Sequence, residues 1–124
     1  MAAVRRRRRP PRDSGAVTVE AAIALGAFVI VLAIALGAVA AVTDQLRCTD
    51  AAREAARLAA RGDSERARVA AERLAPGGAQ VTIAVRGDTV EVHVRAEPAG
   101  GLLPGIRVHG EAFAVTEPGV GAIR

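Results

Sequence analysis

The chain lacks Trp, Tyr and Lys altogether and has only two Phe among its 124 residues. Without aromatic side chains, neither a large aromatic core nor base stacking on nucleic acid is expected. The single cysteine, Cys48, cannot close a disulfide within the chain, and beside only two histidines it offers no zinc-ligand spacing. Redox chemistry and metal binding are not indicated, and we predict no cofactor.

The excess of positive charge is confined to the beginning of the chain. Residues 1–15 hold six Arg and one Asp, a net charge of +5, whereas residues 16–124 hold eleven Arg and twelve acidic residues, a net charge of −1. The body of the protein therefore has no excess of positive charge with which to bind nucleic acid. We predict no nucleic-acid partner, although an arginine run such as residues 5–9 can mark one in other sequences.

A long apolar segment follows the basic one. Residues 21–42 are twenty-two in number and all are Ala, Val, Ile, Leu, Phe or Gly. As a helix they would extend about 33 Å, enough to cross a hydrocarbon core of about 30 Å once. The arginines before the segment predict a cytoplasmic N-terminus and an extracellular C-terminal part. The alternative is a secretory signal peptide, whose apolar region is shorter but for which the "AVA" at 38–40 is an acceptable cleavage motif.

Small residues recur at four-residue spacing within this segment. Such spacing lets another helix approach closely in lipid, but it also arises by chance in an alanine-rich run. The positions that we single out for possible helix packing are Gly26, Ala33, Gly37 and Ala41.

The helical pattern continues beyond the apolar segment. No helix breaker occurs before Gly62, and apolar residues fall on one helical face at Cys48, Ala51, Ala52, Ala55, Leu58 and Ala59. We predict one helix over residues 16–61, with its transmembrane part at 21–42. Asp63 or Ser64 should cap a second helix over 64–75, which the "PGG" at 76–78 ends.

The remaining chain has the alternation of strands. Val81, Ile83 and Val85 alternate with polar or small residues, and a turn at Gly87-Asp88 would set them opposite Val94, Val92 and Val90. We predict strands at about 80–86, 89–96 and 106–117 in a small antiparallel sheet. Because a segment of this size, 63–124, is near the lower limit for independent folding, the sheet should pack on the long helix. The fold class is thus α+β.

No catalytic constellation is recognisable, and we predict that the protein is not an enzyme and has no small-molecule substrate. His93 and His109 are either a functional pair or, the more common case where partners are absent, solvent-facing strand residues. Cys48, on the apolar helix face, is either a small buried hydrophobe, the more common case, or a thiol that links to another chain. Leu102 and Leu103, in a Gly/Pro-rich loop, are either a contact site or part of the packing.

The stretch "GAVTVEAAIAL", from Gly15 onward, joins a basic leader to a membrane helix, and "AAREAARLAARGD" continues that helix. This order of features resembles the class III signal of type IV pilins, and in particular the TadE-like minor pilins or pseudopilins of tight-adherence (Flp-type) pilus systems of actinobacteria. Many pilins have Phe or Met where this chain has Ala16.

The resemblance implies a processing site between Gly15 and Ala16, where prepilin peptidase would remove residues 1–15. Glu20, fifth in the processed chain, would pair with the new amino terminus of a neighbouring subunit. The implied partners are other pilin subunits, pilus assembly proteins, prepilin peptidase and membrane lipid, and the implied location is the cell membrane or a pilus. The alternative is a single-pass membrane-anchored or secreted binding module whose leader is an ordinary signal anchor.

Overall fold

A computed structural model describes residues 14–101, 104–116 and 118–119. The elements follow one another as helix α1 (Ser14–Ala60), helix α2 (Ser64–Leu74), strand β1 (Gln80–Arg86), strand β2 (Thr89–Ala96), a short 3₁₀ turn (Pro98–Gly101) and strand β3 (Val108–Val115). The α+β class is confirmed, with a long helix, a second short helix and three antiparallel strands. Contacts divide the chain into two units, Met1–Ala35 and Leu36–Arg124.

The first unit contains the N-terminal part of α1, in which apolar side chains are exposed. Ile23, Phe28 and Ile34 each expose more than 60% of their surface, with values of 68%, 62% and 67%. The most apolar window of α1 has a mean hydropathy of 2.8, and none of it is buried. Within the described residues this is the one helix that is long and apolar enough to cross a membrane. Such exposure of large apolar side chains is what a membrane-anchor helix would show, because lipid and not protein would cover them.

In the second unit, the C-terminal part of α1 forms the core with the sheet. The buried residues of α1 are all small, and they pack with buried valines of strands β2 and β3. Ala56 and Ala60, which were not on the predicted face, are buried, whereas the predicted Leu58 is only partly buried. The prediction that the sheet packs on the long helix is confirmed. The buried set on α1 is Cys48, Ala51, Ala52, Ala55, Ala56, Ala59 and Ala60.

Gly62 and Asp63 determine the connection from α1 to α2. Gly62 adopts a positive φ of 84°, which favours glycine, and its N–H donates to the Ala59 carbonyl at 2.9 Å. Asp63 then caps α2, since its carboxylate accepts from the backbone N–H of Arg66 at 3.2 Å. Helix α2 buries Ala67 and Ala71 but leaves Leu74 43% exposed.

The three strands form one antiparallel sheet in the order β1-β2-β3. The predicted register of the hairpin is confirmed, because Val85 pairs with Val90, Ile83 with Val92 and Val81 with Val94. Val90, Val92 and Val94 are fully buried, whereas Val85, beside the turn, is 57% exposed. β3 is shorter than the predicted 106–117, and Leu102 and Leu103 lie outside the described residues.

Strand β3 comes close to the backbone or side chains of α1 at two consecutive residues, His109 and Gly110. The side-chain amide of Gln45 donates to the His109 carbonyl at 2.6 Å and accepts from the His109 N–H at 3.1 Å. One residue later, a Cβ on Gly110 would overlap the carbonyl group of Cys48. The glycine therefore permits a backbone-to-backbone contact between strand and helix that any side chain would prevent.

Candidate functional site

The residues that the sequence singles out near the N-terminus all lie at the beginning of α1. Gly15 is the second residue of the helix, with an open space where a Cβ would be and no positive φ. Packing and backbone conformation among the described residues therefore do not require glycine at this position. Residues 1–13, with the leader arginines, lie outside the described part of the chain.

Glu20 lies one helical turn after Ala16, on the same side of α1. Both residues are exposed, and the next charged residue along the chain is Asp44. In an inserted helix the Glu20 carboxylate would thus stand at the edge of a long uncharged segment. An ionisable group in such a position is costly unless a cation or the positive end of the helix dipole is close.

The four small positions of the apolar segment do not share one environment. Gly26 and Ala33 are exposed, and nothing lies within 4 Å of a Cβ built on Gly26. Gly37 and Ala41, in the second unit, are half-buried. The helix-packing role assigned to these positions stays a prediction.

His93 is not the isolated, solvent-facing residue that the sequence suggested. Its Nε2 donates to Oε1 of Glu91 at 2.7 Å, since a carboxylate only accepts, and its Nδ1 lies 3.3 Å from Oε1 of Glu111. Glu111 stands opposite His93 in the β2–β3 register. The partner from β3 was missed because strand register between β2 and β3 is set by a long connection and not by a tight turn.

This cluster lies on the sheet face away from the helices, where alternate residues of the three strands point outward. The contacts of His93 with the two carboxylates join side chains of neighbouring strands and can stabilise strand pairing. Within residues 14–101, 104–116 and 118–119, no group of three or more His, Cys, Asp or Glu has the arrangement that could hold a metal ion.

Cys48 is fully buried in the core between α1 and the sheet. Burial, with a smaller contribution from the nearby Asp44 carboxylate, raises the pKa of the thiol. A buried thiol with a raised pKa is a poor nucleophile. Of the two readings of Cys48, the structure supports the small buried hydrophobe.

These features define a class, a protein with one membrane-anchor helix that continues into a small α+β unit. The family model described as TadE-like protein matches residues 15–57. A Mycobacterium tuberculosis protein named Apoptosis inhibitor Rv3655c is 46% identical over 105 residues, which cover 85% of this chain and 82% of that protein. No solved structure matches the chain.

The chain belongs to the TadE-like family, so the resemblance drawn from its sequence is confirmed. The family associates the chain with the tight-adherence pilus and its components, and its members are typically structural. The family match begins at Gly15 and ends at Arg57, within α1. It therefore includes Ala16, Glu20 and the whole apolar segment, but neither α2 nor the sheet.

Proposed function

We propose that the protein is a minor pilin or pseudopilin that is cut between Gly15 and Ala16 and then joins a tight-adherence pilus assembly. In this proposal the N-terminus enters the peptidase on the cytoplasmic side, and the α+β unit lies outside the cell. The processed chain, residues 16–124, would lose the leader arginines and carry a net charge of −1. Adhesion or secretion-related filament formation would be the outcome of assembly.

The observation that carries the proposal is a glycine without a structural reason at the boundary of the leader. Gly15 has free space around its Cβ position, and its φ is one that other residues adopt. Glycine loses more backbone freedom than alanine when it becomes helical, which favours local unwinding at this end of α1. A residue without a side chain can also enter a narrow peptidase cleft.

Glu20 supplies the second support. Cutting before Ala16 creates a positively charged amine one helical turn from Glu20, or at the same level on a neighbouring subunit. A carboxylate in the bilayer interior costs about 2.5–3.5 kcal/mol on insertion scales, and a cationic partner offsets that cost. The pairing would thus favour association of processed subunits over unprocessed ones.

The Glu20→Ala substitution tests this role. We expect the variant to insert into the membrane as the parent chain does, because removal of a charge favours insertion, but to impair pilus assembly. Membrane fractionation and electron microscopy of surface filaments measure the two effects. Glu72→Ala, which removes an exposed acid of α2, is the matched control and should leave assembly unchanged. Normal filaments in the Glu20→Ala strain would exclude the pairing role.

A second candidate function is favoured by the name of the mycobacterial relative. That name, Apoptosis inhibitor Rv3655c, does not mention a pilus, so a secreted or membrane-anchored binding module is the alternative for this chain. The two candidates differ in the N-terminus of the mature protein. A chain that begins near Ala41 would favour secretion, and a chain that begins at Ala16 would favour the pilin.

A further inference from the structure

One end of the sheet lies close to the end of the apolar segment. Gln45, which exchanges two hydrogen bonds with His109 at the beginning of β3, comes three residues after Val42, the last residue of that segment. β3 then runs in the same direction as α1, because Ala114 and Val115 lie beside Ala60 and Arg61. The beginning of β3 is therefore the membrane-proximal end of the sheet.

The distance from the apolar segment places this end at headgroup depth. Three residues of helix rise about 4.5 Å. The polar interface of a bilayer is about 5–7 Å thick on each side of the hydrocarbon core. If residues 21–42 span the hydrocarbon core of the bilayer, Gln45 and the residue bonded to it, His109, lie among the lipid headgroups and not beyond them.

Exposed arginines and exposed aliphatic side chains occupy this end. Arg95 pairs with His109 in the sheet register, and Arg107 comes two residues before His109. Both arginines line one cleft of about 350 Å³, together with Glu97, Gly77 and Gly78. We use the term membrane-proximal surface for five residues at this end: Leu46, Arg47, Arg95, Ile106 and Arg107.

The composition of the membrane-proximal surface matches an anionic lipid interface. Leu46 is 60% exposed and Ile106 is 49% exposed, so both have apolar surface available for the boundary of the acyl chains. The three arginines are exposed. Among the described residues, Asp44 directly precedes Gln45, and Glu97 lines the same cleft as Arg95 and Arg107. Arginine binds phosphate through several N–H groups and can bury its apolar stem at an interface.

We propose that the membrane-proximal surface rests on anionic phospholipid headgroups and fixes the orientation of the α+β unit on the bilayer. The proposal rests on the membrane-anchor part of the proposed function and is independent of the pilin role. The apolar segment delivers the surface to the bilayer, and the arginines then bind lipid phosphate. The opposite end of the sheet, with the turn at Gly87-Asp88, faces away from the lipid.

Tryptophan fluorescence can test this contact directly, because the chain has no Trp and no Tyr. Three variants of the full chain, each with one Trp, are reconstituted in vesicles. Ile106→Trp reports on the membrane-proximal surface, and Phe28→Trp reports on the apolar segment. Phe113→Trp is the matched control, at a position that is 65% exposed. Phe113 lies four residues after His109 on β3, which places it about 13 Å from His109 along the strand.

The vesicles contain phosphatidylcholine alone or equal parts of phosphatidylcholine and phosphatidylglycerol, with lipids brominated near the glycerol backbone as quenchers. We expect the Ile106→Trp variant to be quenched about twofold or more beyond the Phe113→Trp variant in the anionic vesicles. Adding Arg95→Gln and Arg107→Gln to the Ile106→Trp variant should remove most of this difference. The same two changes should not alter quenching of the Phe28→Trp variant by lipids brominated near the chain ends.

The outcomes separate the contact from the anchor. Quenching of the Phe28→Trp variant with no excess quenching of the Ile106→Trp variant would overturn the proposed contact while the anchor stands. Excess quenching that is equal in both vesicle types, or that survives the two arginine substitutions, would overturn the role of lipid phosphate. Absence of quenching at Phe28→Trp would overturn the membrane anchor, and with it this proposal.

Discussion

The two parts of α1 are both rich in alanine, yet they use it in opposite ways. Before Val42, alanines alternate with large Val, Ile and Leu side chains that are all exposed, as at Ile23 and Ile34. From Cys48 to Ala60, the alanines themselves are buried, and the charged residues between them are exposed or half-buried. Within one helix, the first part thus exposes its large aliphatic side chains, and the second part buries its small ones.

The difference reflects what surrounds each part. In lipid, large aliphatic side chains are favourable on every face, so exposure in the isolated chain is expected. Outside lipid, the helix must bury one face, and small residues let a sheet come close to its axis. The contact of Gly110 with the Cys48 backbone is the extreme case of this close packing.

The largest expected effect on the α+β unit comes from Gly110→Ala. Even one methyl group would overlap the Cys48 carbonyl, so β3 and α1 must move apart. We expect a loss of about 3 kcal/mol in the free energy of unfolding, the upper end for overpacking. Chemical denaturation of the full chain in detergent measures the loss. The control is Gly77→Ala, where nothing lies within 4 Å of the new Cβ and φ is not positive.

A smaller effect is expected from Val92→Ala. Val92 is fully buried between the helices and the sheet, so the substitution leaves a cavity and should cost about 2 kcal/mol. Val85→Ala removes the same atoms from the same hairpin at a position 57% exposed, and its effect should be within about 0.5 kcal/mol of zero. Equal losses at the two positions would contradict the core described for the second unit.

The third prediction concerns the reactivity of Cys48. Alkylation of the folded protein at neutral pH should be about a hundredfold or more slower than in denaturant, because the core must open before the thiol can react. Mass spectrometry of samples quenched over time measures both rates. Rapid labelling of the folded chain would show that α1 and the sheet separate readily.

The raised pKa of Cys48 also predicts a dependence of stability on pH. Because burial raises the pKa of the folded thiol above its unfolded value, the stability contribution of the neutral thiol is complete below the unfolded pKa and is lost as pH rises through the folded pKa. The free energy of unfolding should therefore decrease from neutral pH toward alkaline pH. This is the smallest effect, and Cys48→Ala should remove its part of the slope.

The parts of the fold that local pattern controls were predictable. The β1–β2 register followed from the alternation of Val and Ile around a turn at Gly87, and the end of α1 followed from Gly62 and Asp63. What the sequence could not provide depends on distant residues. The bonds between Gln45 and His109 join residues 64 positions apart, and no local pattern specifies such a pair.

The candidate site divides in the same way. The order of Gly15, Ala16 and Glu20 before an apolar segment was enough to predict the family, because that arrangement is linear in the chain. The partner of His93 on β3 was missed because Glu111 reaches it only through the pairing of β2 with β3. The role of Glu20 requires a second subunit, so neither pattern nor a single folded chain can test it.

The N-terminal mass of the protein extracted from membranes of the native cells tests the central claim most directly. The account predicts a mature chain that begins at Ala16, and the parent chain with Gly15→Leu should keep its leader because a side chain would block the peptidase. A native chain that retains residues 1–15 would contradict processing as a pilin. A chain that begins near Ala41 would contradict it as well and would assign the apolar segment to a signal peptide.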